Sequence, residues 1–144
     1  MKKLLTLLLL PLSIFAGSAD AEIECKSGSG RTLLNFSDSD GMAMFTGGSF
    51  SIDKKKIELN SDYGHIISDF RRGLYVLYYN DPKKDIVLDF YAIPNTMKRT
   101  ELEEYEDSYK FNAVIGENST DPREKNRDLL RKTIWLSCTF KYTL

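Results

Sequence analysis

The closing segment of this 144-residue chain alternates with a period of two. Ile134, Leu136, Cys138, Phe140 and Tyr142 share one parity, and Trp135, Ser137, Thr139, Lys141 and Thr143 share the other. Successive side chains on a strand point to opposite faces, so this pattern predicts a half-buried β-strand with Cys138 facing a core. Ile23 and Cys25 share parity near the start, which lets a first strand present Cys25 inward as well. Period two, rather than 3.6, recurs through the rest of the chain and makes it a β-chain.

Several further strands are expected. Thr32 to Phe36 and Met42 to Phe45 flank Asp38-Ser39-Asp40-Gly41, whose residues suit a hairpin turn. Ser49 to Ile52 and Lys56 to Leu59 are short and interrupted by polar residues. Leu74 to Tyr79 and Asp85 to Ile93 form the strongest pair, joined by the turn residues Asn80 to Lys84. Both are apolar at both parities, which predicts central strands with one face on the core and the other covered by something else. Tyr109 to Ile115 alternates again.

Helical signal is scarce. Thr100 to Tyr105 can form a turn or so of helix. Asp121 and Pro122 can start a helix over Arg123 to Leu130, although its apolar stripe is only Leu129 and Leu130, and a charged loop fits as well. The expected fold is mainly β: a single antiparallel β-barrel or β-sandwich of about eight strands, with at most one or two short helices.

The first residues carry an address. Lys2 and Lys3 precede the apolar run Leu4 to Phe15, and Ala19-Asp20-Ala21 supplies small residues where a signal peptidase reads. This pattern predicts a signal peptide over 1–21 and a single domain over 22–144. The apolar run holds Pro11 and is shorter than the roughly 20 residues a membrane span needs, so no stable membrane insertion is expected after cleavage. The expected location is periplasmic or secreted. Without Lys2, Lys3 and Asp20 the chain has 18 basic and 20 acidic residues, a formal charge of −2. That balance argues against nucleic acid, which needs a strongly basic face.

Cys25 and Cys138 are the only cysteines. An oxidising compartment makes a disulfide between them the default, with a free thiol as the alternative. Two cysteines and one histidine fall short of a four-ligand zinc site. Such a bridge ties the first strand to the last.

Motifs for catalysis are missing. His65 is the sole imidazole and sits in what reads as a turn after Asp62-Tyr63-Gly64. No G-x-S-x-G nucleophile elbow is present. Ser27-Gly28-Ser29-Gly30 lacks the lysine of a phosphate loop. Asp38 to Gly41 starts like a calcium loop, but Ser49 stands where its distal glutamate belongs. No catalytic residue, cofactor or metal is expected. Contact residues for a partner are expected instead in the acidic run Glu101, Glu103, Glu104 and Asp107 with Tyr105, in the basic corner Arg71-Arg72, and at Arg123. Tyr75, Tyr78, Tyr79, Tyr91 and Trp135 are mostly core, but anchor a partner wherever a sheet face is open.

Glu24-Cys25-Lys26-Ser27-Gly28-Ser29-Gly30-Arg31-Thr32 and Ile134-Trp135-Leu136-Ser137-Cys138-Thr139-Phe140 carry a resemblance. A first-strand cysteine followed by glycine and a strand, with a second cysteine near the end, resembles the small periplasmic C-type lysozyme inhibitors of Gram-negative bacteria. The resemblance implies an eight-stranded antiparallel barrel with a terminal disulfide and an exported domain that binds a protein through its loops. The family's Ser-Gly-x-x-Tyr signature has no counterpart in the middle of this chain, so no inhibitory residue carries over. The expected role is a non-enzymatic binding protein that neutralises a cell-wall hydrolase or a delivered toxin, immunity proteins included. Binding is expected from the charged loops Met97 to Asp107 and Glu117 to Arg131. The alternative is a carrier with a small ligand in an aromatic-lined barrel mouth.

Overall fold

The computed structural model describes residues 20–39, 43–103, 106–116 and 133–143. Ten strands run through them: β1 (Ala21–Ser27), β2 (Thr32–Ser39), β3 (Met44–Ile52), β4 (Lys55–Leu59), β5 (Gly64–Asp69), β6 (Leu74–Asp81), β7 (Ile86–Ala92), β8 (Lys98–Glu103), β9 (Glu106–Gly116) and β10 (Ile134–Thr143). The only helical elements among the described residues are two single 3-10 turns, Ser61–Tyr63 and Phe70–Arg72. All pairings are antiparallel. The strands form one sheet in the order β4-β3-β2-β1-β10-β9-β7-β6-β5, with β8 also on β9, and it curls into a nearly closed barrel.

The two halves of the chain meet at β1 and β10. Cys25 lies directly opposite Cys138 in that ladder, and the two are joined by a disulfide across a sequence separation of 113. Both cysteines are buried in the core, as their parity predicts. β1 already includes Ala21, which is buried and pairs with Tyr142 and Asp38.

The strand count exceeds the expected eight for traceable reasons. The two segments expected before and after Gly47 merge into one strand, β3, which lowers the count by one; β3 is bulged against β2 at Ser37/Asp38, and Met42 lies outside the described residues. Two strands not expected, β5 and β8, raise it. β5 starts at Gly64, so His65 is on a strand rather than in a turn. Thr100 to Glu103 lie in β8, not in a helix, because the long β9 offers a free edge there. Its opposite edge takes β10 along nearly its whole length, while the near edge is shared by β7 at one end and β8 at the other. β7 and β8 are thus one interrupted strand. Ile93-Pro94-Asn95-Thr96 turns out of the ladder, with Pro94 second and Asn95 third at φ 66°, the positions a type II turn assigns to them. Thr96 Oγ1 takes the place of a strand there: it accepts from Asn112 N–H at 3.0 Å, while Ile93 N–H donates to the Asn112 carbonyl at 2.7 Å.

The interior is filled by rings. Tyr75 is fully buried, and its ring neighbours Phe36, Phe70, Phe90, Phe111 and Phe140 with centroids 5.5–6.5 Å away. Its hydroxyl donates to Asp38 Oδ2 at 3.0 Å. Burial pushes the Asp38 carboxyl up from the ordinary aspartate value, and burial together with the Asp38 charge pushes the Tyr75 phenol up. Asp38 therefore points into the core and does not serve as an open loop ligand.

Closure of the ring uses side chains. Between β4 and the end of β6, Asn60 N–H donates to the Tyr79 hydroxyl at 3.0 Å, and Lys84 Nζ donates to the Glu58 carbonyl at 2.7 Å. Asp81, buried, accepts from the Lys83 and Lys84 amides and holds the β6–β7 turn that delivers Lys84. Next to this seam Gly64 packs on Phe45: a Cβ there would run into the Phe45 ring, and the Gly64 φ of −106° is one any residue adopts. Space, not backbone freedom, demands glycine.

Two stability predictions follow. Reducing the disulfide, or changing both cysteines to serine, should cost about 4–5 kcal/mol in the chain-entropy account, read from denaturant midpoints. Gly64→Ala should cost about 1–3 kcal/mol by overpacking. Adding Phe45→Leu should recover part of that loss, an outcome that backbone strain would not give.

Candidate functional site

β6 and β7 are apolar at both parities, and on their outer face Val76 and Asp89 are buried whereas Leu74 and Tyr78 are exposed. The sheet curls on itself, so this outer face is its convex side. Reading directly opposed residues across that side gives one row over five strands. Trp135 on β10 pairs with Val114 on β9, Val114 with Tyr91 on β7, Tyr91 with Val76 on β6, and Val76 with Ile67 on β5. Trp135 is 65% exposed and Ile67 43% exposed. Leu74 and Tyr78, on the same face of β6, are each 40% exposed. Val76, in the middle of the row, is buried although it lies outside the core cluster. Large apolar side chains left exposed on a folded domain make this face the candidate for contact with another molecule.

Polar groups frame the row. Tyr78 and Tyr91 meet edge to face with centroids 5.8 Å apart. Asp89 and His65 flank Tyr78 in the adjacent register, Asp89 nearly buried and His65 exposed. Partial burial, a hydrogen bond with Tyr78 and the Asp89 charge push the Tyr91 phenol up to about 12. At the far side of Trp135 the convex face dips into a shallow polar groove of about 950 Å³. Lys26, Lys98, Lys110, Asn112 and Ser137 line it, and the Asn95 turn forms one wall.

The residues singled out from the sequence separate into three groups. Arg71 and Arg72 lie in the 3-10 turn between β5 and β6, capped by Gly73 in the left-handed region. They flank Leu74 and so border the apolar row; Arg72 Nε lies 3.5 Å from Asp69 and remains largely exposed. Glu101, Glu103 and Asp107 belong to the β8–β9 hairpin, where Glu101 is opposite Asp107 and Glu103 opposite Glu106. Met97 to Asp107 is therefore mostly paired strand rather than loop. Phe70 stacks on Tyr109 with centroids 5.0 Å apart, which brings the basic corner to the end of the barrel that carries the acidic hairpin. Glu104, Tyr105, Arg123 and the Glu117–Arg131 segment lie outside the described residues, as does the apolar leader.

Of the aromatic residues, Tyr75 and Tyr79 are core, whereas Tyr78, Tyr91 and Trp135 face outward. Ile67, Val76 and Val114 were not singled out. In segments apolar at both parities, hydropathy carries no signal for which parity faces out. Among the described residues no helix is long and apolar enough to cross a membrane.

Compared with family models, curated proteins and solved structures, the chain has no match in any of the three.

Tyrosine titration followed by ultraviolet absorbance tests the Tyr78–Tyr91–Asp89 cluster. Tyr91 should ionise near pH 12 instead of pH 10, and Asp89→Asn should bring it down. Because the folded value is the higher one, this group supports the fold below pH 10, and its contribution should disappear as pH rises through 12.

Proposed function

We propose that this chain is an exported, non-enzymatic binding protein that neutralises a partner protein, either a cell-wall hydrolase or a toxin delivered into the bacterial envelope. On this reading the leader is cleaved near Ala21 and the domain works in the periplasm or outside the cell. The disulfide is compatible with that oxidising compartment. The observation that carries the proposal is the set of exposed apolar side chains, Trp135, Tyr78, Leu74 and Ile67, on the convex face of a disulfide-linked sheet. A large exposed aromatic amid aliphatic neighbours, rimmed by charged groups such as Arg71 and Arg72, has the composition of an interface core and its polar edge. Rigid strands hold the anchors in place, so little conformational entropy is lost on association. The acidic register of the β8–β9 hairpin suits a partner with a basic surface and would speed encounter.

The test is affinity capture with the oxidised domain against lysozymes, envelope extracts and secreted toxins. Specific retention of one hydrolase or toxin supports the proposal; retention of none opposes it. Trp135→Ala should weaken the captured complex by about 2 kcal/mol or more, roughly thirtyfold in Kd, while leaving the unfolding midpoint unchanged. Trp135 is the only tryptophan, so burial in a complex should shift the protein's intrinsic emission to the blue.

A further inference from the structure

The two ends of the barrel differ in chemistry. Rings plug one end: Phe70 packs on Tyr109 and Phe140, with Tyr75 beneath. At the other end the side-chain ties across the seam, Tyr79–Asn60 and Lys84–Glu58, stop short of the edge. Beyond them, between the β3–β4 turn and the start of β7, the seam stays open into a cavity of about 550 Å³. Phe50, Ile52, Ile57, Ile86, Ile115 and Ile134 line it, with Leu88 at its base. The lining is aliphatic apart from the single Phe50 ring, so the expectation of an aromatic-lined mouth is replaced by an isoleucine slot. Charged groups stand at the rim: Lys55, Asp85 and Asp53, the last held by Arg31 at 2.6 Å.

We propose that this slot binds one unbranched alkyl chain, of the kind a fatty acid carries, inserted tail first with its head group left at the charged rim. Three features favour that occupant. The volume is that of a small-ligand site. The slot is walled by aliphatic side chains, which suits a flexible hydrocarbon better than a planar ring or a polar metabolite. Its opening lies at a break between strands, so a tail can enter without unpairing any ladder. Ile52, 40% exposed at the lip, is apolar surface that an inserted chain would cover. The slot opens to the inside of the sheet and Trp135 stands on the outside, so this proposal and the protein-binding one succeed or fail separately.

The experiment is displacement of 1-anilinonaphthalene-8-sulfonate by straight-chain fatty acids from octanoic to palmitic, at concentrations below micelle formation. Saturable one-to-one binding is expected, tightening by roughly fourfold for each methylene that enters and levelling off once the slot is full. Ile57→Gln should weaken binding at least tenfold with an unchanged fold by circular dichroism. Ile52→Glu, at the exposed lip where folding is not at stake, should do the same. Native mass spectrometry should show the acid retained on the wild type alone. Absence of saturable binding, affinity independent of chain length, or equal affinity in the Ile52→Glu protein would each overturn the proposal.

Discussion

Everything in this fold hangs on the pairing of β1 with β10. In the sheet order those two strands sit side by side, with β2, β3 and β4 on one flank and β9, β7, β6 and β5 on the other. Each flank is assembled from neighbours close in sequence, and only this ladder joins the beginning of the chain to its end. Such contacts carry the greatest loop-closure cost, because the whole intervening chain must be organised before they form. The Cys25–Cys138 bridge crosses that same ladder and removes much of the cost from the unfolded side of the balance. The second junction, where β3 and β4 face β5 and the end of β6, has no backbone ladder and relies on the packing of Phe45 against Gly64 and on Tyr79 and Lys84. One side of the barrel is covalently fixed, and the other is a seam.

The asymmetry extends to the contents. A small barrel must be filled by its own side chains, and here Tyr75 and the five phenylalanines around it supply the volume in the centre and at one end. The Tyr75 hydroxyl needs an acceptor in that dry setting, which explains a buried aspartate at position 38 despite the cost of burying its charge. At the opposite end, smaller branched side chains leave space beside the seam. The molecule thus combines a filled centre, a convex face with exposed apolar side chains and an aliphatic mouth.

Much of this was legible from residue order. Alternation identified β1, β9 and β10, the parity that each cysteine shares with its apolar neighbours made its inward orientation readable, the expected oxidising compartment made their bond the default, and Asn80 to Lys84 marked the strongest hairpin. The misses have physical causes. β8 is rich in glutamate and lacks alternation; it is a strand because β9 has an unfilled edge, a fact that exists only after the sheet is built. The acidic run was legible as charge, but the pairing of Glu101 with Asp107 and of Glu103 with Glu106 is a matter of register. Trp135 was visible as the polar-parity residue of a half-buried strand. Its continuation through Val114, Tyr91, Val76 and Ile67 was not, since those residues come from four other segments that become neighbours only across ladders.

The sequence by itself determined the class of structure: period-two patterning, turn residues and two inward cysteines specify an antiparallel β-domain cross-linked between its ends, because side-chain direction along a strand is set residue by residue. Tertiary structure alone decided which parity of the doubly apolar strands turned outward, where the ring of strands failed to close, and which distant residues became one surface. Those outcomes depend on strand order and curvature, and no local segment encodes them.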